Sequence, residues 1–405
     1  MHPEFRRAYN AAYTAALWRR QTDELERRAG ALAGYRLAET PVFLTDELAE
    51  RLEGTARAIV AQVSDPALLS RMKEAIPPAW HAPGMGTLPE MAQVDLAVVA
   101  GPDGRLVPRL IELQGFPSLS AFEVLQADVW SECLQGIPGL PAATWSPYFS
   151  GLSRAGYLDL FRRTVVGEED PESVVLLDLH PKEQKTYIDF VATERLLGVA
   201  AADPRDLVRE GSRLFRVAGG RRIPVKRIYN RIVFDELIRT RAALPFDFRE
   251  ELDVAWVPHP NWYWTWSKYS LPLLDHPDVP KATYLSDLRE IPADLGARYV
   301  LKPLFSFAGG GVTVEPSPED LARIPAAERH AWCLQEKIAY APCLAAADGG
   351  GVKIEIRMMF YRPAGESRLV LGLNLCRLSR GKMLGVDFNK DFTWVGSSVA
   401  LRPAA

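Results

Sequence analysis

Two runs of the chain pair oxygen-bearing side chains in a pattern that could bind metal. Gln93-Val-Asp95-Leu-Ala-Val-Val reads as a strand, Gly101-Pro-Asp-Gly104 as a turn, and Leu106 to Gln114 as the return strand, ending Ile111-Glu112-Leu113-Gln114. With the turn centred on Pro102 and Asp103, residue 95 lies opposite residue 110. Positions 110, 112 and 114 share a face because side chains alternate along a strand. Asp95, Glu112 and Gln114 then project together. Two carboxylates and an amide oxygen are hard ligands of the kind Mg²⁺ takes. A slip of one residue would separate Asp95 from the other two. The alternative is a solvated sheet face with chance acids. A rival metal pair is Asp387 and Asn389, in Asp-x-Asn spacing.

A second stretch suits phosphate. Tyr299-Val-Leu-Lys302-Pro is an apolar run ending at a lysine, followed by a loop, then Gly309-Gly310-Gly311, then the alternating Val312-Thr-Val-Glu315. The pattern predicts strand, loop, strand. Three glycines without Cβ let their N–H groups turn toward one anion. Lys302 ends its strand, so its charge is expected to face the ligand space. No Gly-Lys-Ser/Thr opens a helix afterwards, so this is not a Walker loop. An ordinary glycine-rich hairpin is the alternative. Lys268, just after Trp262-Tyr-Trp264-Thr-Trp266, is a second lysine able to reach a phosphate, though a lone lysine is more often a surface residue.

Composition narrows the class. Hydrophobic residues make up 48% of 405, and the formal net charge is −3. The length allows two or three domains sharing a large core. Without a basic footprint, nucleic acid is not an expected partner. Cys133, Cys333, Cys343 and Cys376 are scattered and lack metal-ligand spacing, which predicts free thiols and a cytoplasmic setting. The first residues lack an apolar signal core, and no run reaches the roughly 18 apolar residues of a membrane span.

The elements that must position these groups follow from periodicity. Phe5, Tyr9, Tyr13, Ala16 and Leu17 make a helical stripe, and Thr45-Asp46-Glu47 caps a helix with Leu48, Leu52, Ala56, Ile59 and Val63 on one face. These helices read as packing elements without chemistry. The run from Ser173 to His180 is a buried strand. With the polar loop His180-Pro-Lys-Glu183-Gln184-Lys185 and the helix to Leu197 it forms a βα unit, whose strand-end loop is where such sheets place ligands. His180 itself reads as a solvated loop residue. Further strands cover Ser212 to Val217 and Ile223 to Arg231, joined by a Gly219-Gly220 turn. Ser317-Pro318 opens a capped helix, and Trp332 to Ile338 is a strand running into an irregular segment. Val352 to Phe360 alternates, with Glu355 and Arg357 on one face, and Leu369 to Leu378 is another strand.

The order of these pieces resembles the circularly permuted ATP-grasp ligases, above all eukaryotic-type glutathione synthetase, with glutathionylspermidine synthase as a cousin. The matching residues are Glu112-Leu-Gln114, Glu183-Gln184-Lys185, Tyr229-Asn230-Arg231, the phrase from Tyr299 to Gly311, Glu336-Lys337-Ile338, Glu355, and Arg377 with Arg380. They run from about residue 90 to the end. There are departures. Gln114 stands where the family has Asn, Ser306 where it has a metal-binding Glu, and Gln93 where it has a substrate-binding Arg. Asp95 is a possible replacement for the missing carboxylate.

The resemblance implies an α+β (α/β) chain with a circularly permuted ATP-grasp fold, an inserted Rossmann-like substrate domain and an N-terminal helical segment. The expected divisions are an N-terminal segment 1–90, core strands with the metal ligands 91–165, a substrate-binding domain 166–260, a nucleotide-binding lid 261–345, and C-terminal strands with a substrate loop 346–405. It implies ATP and Mg²⁺, with Asp95, Glu112 and Gln114 on the metal. Lys268, Lys302, Gly309, Gly310 and Gly311 would hold phosphate, Gln335, Glu336, Lys337, Ile338 and Glu355 the nucleoside, and Arg380 would be a further ATP contact. Lys302 and Arg377 would be catalytic. Arg231 and Arg377 would hold substrate carboxylates, with Ser118, Glu183, Gln184, Lys185, Ser397 and Ser398 as further substrate contacts. The expected activity is carboxylate–amine ligation through an acyl phosphate, by a monomer or homodimer acting on small molecules. The alternative is an ATP-binding protein that has lost the chemistry.

Overall fold

The computed structural model describes residues 1–306, 309–381, 389 and 391–404. The strands that build the site are, in chain order, β1 (Met91–Ala100), β2 (Leu106–Gln114), β3 (Val174–Leu177), β4 (Ala200–Ala202), β5 (Arg227–Asn230), β6 (Ala255–Val257), β7 (Ala282–Tyr284), β8 (Tyr299–Pro303), β9 (Trp332–Glu336), β10 (Gly351–Tyr361), β11 (Val370–Ser379) and β12 (Gly396–Ser398). They fall into three sheets. The large antiparallel sheet runs β12-β11-β10-β1-β2, with the short strand Leu344–Ala345 beside β10. A parallel sheet has the order β6-β5-β3-β4, and a small antiparallel sheet the order β7-β9-β8. The result is a mixed α/β protein.

The large sheet is buried on both sides, for two different reasons. One face carries Val94, Leu96, Val98, Leu110, Ile354, Ile356 and Met358, which pack against Leu48, Leu52, Ala56, Ile59 and Val63 of the helix Asp46–Val63. That stripe repeats every three to four residues, so one turn of helix after another lands on the sheet. Thr45 starts the helix as expected, its hydroxyl accepting from Leu48 N–H at 3.3 Å, a cap worth about 1 kcal/mol. The opposite face is apolar only at its ends. Met359, Tyr361, Leu373 and Leu375 meet the helix Phe122–Cys133 and the parallel sheet. Ala97, Val99 and Val107 lie under Ile338 and Tyr340. Between those ends the face is polar, and there the candidate site lies.

Several local expectations take definite form. The N-terminal stripe is two helices, Pro3–Ala12 and Ala15–Ala29, separated because Thr14 caps the second. Gly219 and Gly220 both take positive φ, 57° and 75°, as a tight hairpin turn demands. Ser317 and Asp320 close a reciprocal capping box. The strand expected after the three glycines is reduced to one bridge, Thr313 opposite Leu301. Pro316 and Pro318 follow closely, and proline cannot donate to a ladder. Trp262 and Trp266 are core, packed edge-on at 5.9 Å. The four cysteines are free, as expected. Among the described residues, no helix is long and apolar enough to cross a membrane.

Candidate functional site

The hairpin brings Asp95, Glu112 and Gln114 together by a route that differs from the one expected. From the turn outward the strands pair Ala100 with Leu106 and Leu96 with Leu110, a register in which Asp95 would face Ile111. A bulge after Leu96 restores the face, and Asp95 pairs with Glu112 and Gln93 with Gln114. One extra residue thus reverses the slip that would have parted the two acids. Gln114 Nε2 donates to Glu112 Oε1 at 2.5 Å and to Asp95 Oδ2 at 3.4 Å.

The two carboxylates have different partners. Arg357, directly across from Asp95 on β10, grips it with a two-pronged contact, Nε to Oδ1 at 2.6 Å and Nη2 to Oδ2 at 2.7 Å. Arg377 adds a third contact to Oδ2 at 2.5 Å and also pairs with Glu355, its neighbour across β10 and β11. Asp95 is fully buried. Burial pushes its pKa up, but the attraction of Arg357 and Arg377 outweighs that, and the net shift is downward. Asp95 is therefore the shared counter-ion of two arginines. Glu112 is more open. Burial raises its pKa, and Lys268, 3.3 Å from Oε2, reverses the shift with help from Lys302. Gln114 Oε1 is buried and accepts no hydrogen bond. Among the described residues no cluster of three His, Cys, Asp or Glu has metal-site geometry. What remains is a pair, the Glu112 carboxylate, shared with Gln114 Nε2 and Lys268, and the orphan Gln114 carbonyl. Both are hard oxygens, as Mg²⁺ takes, and one is buried and unpartnered, so these two fit such a cation while Asp95 serves the arginines.

Both lysines converge on this end of the patch. Lys268 Nζ donates to the Ser306 carbonyl at 2.6 Å. Lys302 is buried, with Nζ donating to the carbonyl of Ile111, the bulged residue, at 3.1 Å. Its charge thus lies buried near Glu112 and not on an open loop. Burial lowers its pKa, and Glu112 opposes that shift. The space lined by Glu112, Gln114, Lys268 and residues 304–306 is small, about 30 Å³.

Beyond Gln114 opens a cavity of about 940 Å³. Glu112, Gln114, Arg357 and Arg377 form its floor. The carboxyl ends of the parallel strands form one wall, with Asp178 after β3 and Arg231 after β5. This is where open α/β sheets place ligands. Glu183, Gln184 and Lys185 line the same side, and Ser118 and Leu119 the adjoining rim. Arg231 is 3% exposed. Its guanidinium lies 5.3 Å from the rings of both Phe116 and Phe190 and pairs with Asp189 at 3.3 Å. Asp189 also accepts from the N–H groups of Leu119, Ala121 and Phe122, fixing the rim. Leu119 holds φ at 63°, a costly conformation for leucine. Asp178 is buried, and burial holds its pKa well above the ordinary range despite Arg231.

The other expected residues divide. Gly309 and Ser397 line the cavity and Gly310 and Gly311 do not, although all three glycines are exposed. Ser398, one residue along the strand, faces the other way and donates to the Thr40 carbonyl at 2.6 Å. Gln335 donates to the Leu110 carbonyl at 3.4 Å, seating the small sheet on β2. Glu336 is paired with Arg298, and Lys337 donates to the Gly296 carbonyl. Ile338 packs over Ala97 and Val107. Glu355 is buried against Arg377, while Arg380 forks onto Asp348 outside the cavity lining. Asp387 lies outside the described residues. Asn389 Oδ1 accepts from Ser379 and from the backbone of Arg380 and Gly381. Two features of the site escape sequence reasoning. Arg357 gains its role only from pairing across 262 positions. Gly34, Tyr35 and Arg36 of the N-terminal segment line the cavity, although nothing local marks them.

A mixed α/β architecture holds a charged cavity between its parallel sheet and its large antiparallel sheet. The sequence matches no protein-family model and no curated protein. Among solved structures, a glutathione synthetase-like effector from Globodera pallida, determined in its apo form, aligns with 97% of this chain and 98% of its own, at a TM-score of 0.53 and 12% identity. The two proteins share a distant fold along their whole lengths.

Proposed function

We propose that the protein is an ATP-dependent carboxylate–amine ligase of circularly permuted ATP-grasp type. The observation that carries this reading is the convergence of two buried lysines, Lys268 paired with Glu112 and Lys302 on the neighbouring Ile111 carbonyl, at one end of a cavity lined by Arg231 and Arg377. Buried lysine charge beside a single carboxylate suits a polyanion, and guanidinium groups suit carboxylates.

In this reading a substrate carboxylate held by the arginines attacks the terminal phosphorus of ATP. The bond to the bridging oxygen breaks, ADP leaves, and an acyl phosphate forms. An amine then attacks the acyl carbon and inorganic phosphate departs with the bonding pair, leaving an amide. Lys302 and Lys268 stabilise charge that builds on the transferring group. Arg377, fixed by Asp95 and Glu355, orients the carboxylate. Glu112 and Gln114 would hold Mg²⁺, which when bound supplies charge neutralisation at the phosphates. The site needs no serine or cysteine nucleophile.

A second reading is an ATP-binding protein without turnover. Ser306 in place of an acid favours it. The solved structure with the similar fold is named an effector. ADP release on incubation with ATP, Mg²⁺ and pools of amino acids and polyamines separates the two. Release that depends on an added amine, with one amide formed per ADP, supports the ligase. Saturable ATP binding without ADP supports the second reading.

A further inference from the structure

Residues 33–38 run along the free edge of β12, where Leu37 bridges Ser397 in parallel, Ser397 N–H donates to the Arg36 carbonyl and Ala38 N–H to the Ser397 carbonyl, both at 2.9 Å. The segment is wedged on both sides. A Cβ on Gly396 would stand 2.2 Å from the Arg36 carbonyl oxygen, and one on Gly34 would stand 2.5 Å from that of Lys185. Neither contact leaves room for a side chain, so the backbone path of residues 34–36 is fixed to the cavity rim.

This path delivers Tyr35 to the cavity wall. Its ring packs edge-on against Phe122, with centroids 6.0 Å apart. Its hydroxyl is buried and has no hydrogen-bond partner. Arg231 Nε is likewise buried and unpartnered, and the same cavity touches both residues. The Tyr35 hydroxyl lies within electrostatic reach of Arg231, Asp189 and Glu123. Asp189 is already committed to three backbone N–H groups and to Arg231. A buried polar atom left unpaired costs roughly 1–3 kcal/mol, so two beside one cavity point to a ligand that pairs them. A phenol and a guanidinium both donate, and the fitting ligand atom is an anionic oxygen.

We infer that Tyr35 is a specificity-determining residue, which with Arg231 forms a subsite for a carboxylate of the substrate. This rests on the reading of the cavity as a substrate site. The test is calorimetric titration of the full chain with the dipeptides Glu-Gly and Asp-Gly and with their methyl esters, using wild type, Tyr35→Phe and, as a control remote from this cavity, Tyr284→Phe. Wild type is expected to bind at least one of the acids and to reject its ester. Tyr35→Phe should weaken that binding about tenfold, as loss of a hydrogen bond to a charged group does, and Tyr284→Phe should not. The ligand-free melting temperature of Tyr35→Phe should stay level or rise, because an unpaired hydroxyl is removed. Unchanged binding by Tyr35→Phe, or no binding of either acid by wild type, overturns the inference. ADP release measured on the same samples keeps the two claims apart. Tyr35-dependent binding without ADP removes the ligase reading and leaves the subsite, whereas amine-dependent ADP release with unchanged binding by Tyr35→Phe removes only the subsite.

Discussion

At the scale of single residues, Asp95 and Glu112 have different parts although they face each other. Asp95 neutralises Arg357 and Arg377 inside the protein. Asp95→Asn leaves the buried Arg357 without its charge partner and Arg377 with Glu355 alone, and breaking a buried pair typically costs about 3–5 kcal/mol. Urea unfolding should show a loss of that size, whereas Glu112→Gln, at a partly open position, should lose far less stability and most of the ligase turnover. The pH dependence has a definite sign. The Asp95 pKa is lower folded than unfolded, so its contribution is full above the unfolded value near 3.9 and fades as pH falls through the folded value. Acid titration of stability should show this fading below about pH 4 in wild type and lack it in Asp95→Asn. The sequence made the shared face of Asp95, Glu112 and Gln114 legible because strand alternation is local. It hid the bulge at Ile111 and the grip of Arg357, because both are settled by strands brought together from distant parts of the chain.

Among the elements, the edge segment 33–38 governs the cavity as much as any strand of the sheet does. Gly396 holds φ at 120° with the Arg36 carbonyl against its Cα. Gly396→Ala adds a strained backbone and a steric overlap, together roughly 3 kcal/mol. Hydrogen exchange should quicken at the Ala38 amide, which bonds to Ser397, while amides of the helix Asp46–Val63 keep their protection. Equal protection at Ala38 in both proteins would mean that the segment is held by something else. Helix stripes, caps and the hairpin turns were legible from periodicity and from Thr45, Ser317 and Gly219-Gly220. The fit of Gly34 against Lys185 and of Gly396 against Arg36 was not, since a glycine in sequence does not say what presses on it.

For the whole molecule, the parallel sheet and the large antiparallel sheet meet around one cavity, and the small sheet β7-β9-β8 is seated on β2 through Lys302 and Gln335. In the proposed reading the phosphates of ATP lie beside Lys268, where the space is about 30 Å³, and binding would exchange the Lys268 contact to the Ser306 carbonyl for one to phosphate. Hydrogen exchange with and without ATP and Mg²⁺ should change in β8 and β9 and leave β3 to β6 unaltered, and ATP should raise the melting temperature. No change in β8 or β9 at saturating nucleotide would place ATP elsewhere.

In the proposed ligase Lys302 serves phosphate transfer. Because it is buried, Lys302→Met is the apt variant, since it keeps the stem and removes only the charge. Loss of one such stabilising donor costs roughly 3 kcal/mol of barrier, or about a hundredfold in rate. The measurement is ATP-dependent ADP release by wild type and Lys302→Met, with melting recorded on the same samples. The expected result is a fall of about a hundredfold or more in ADP release, with the melting temperature held within a few degrees. Undiminished ADP release from Lys302→Met would contradict the claim.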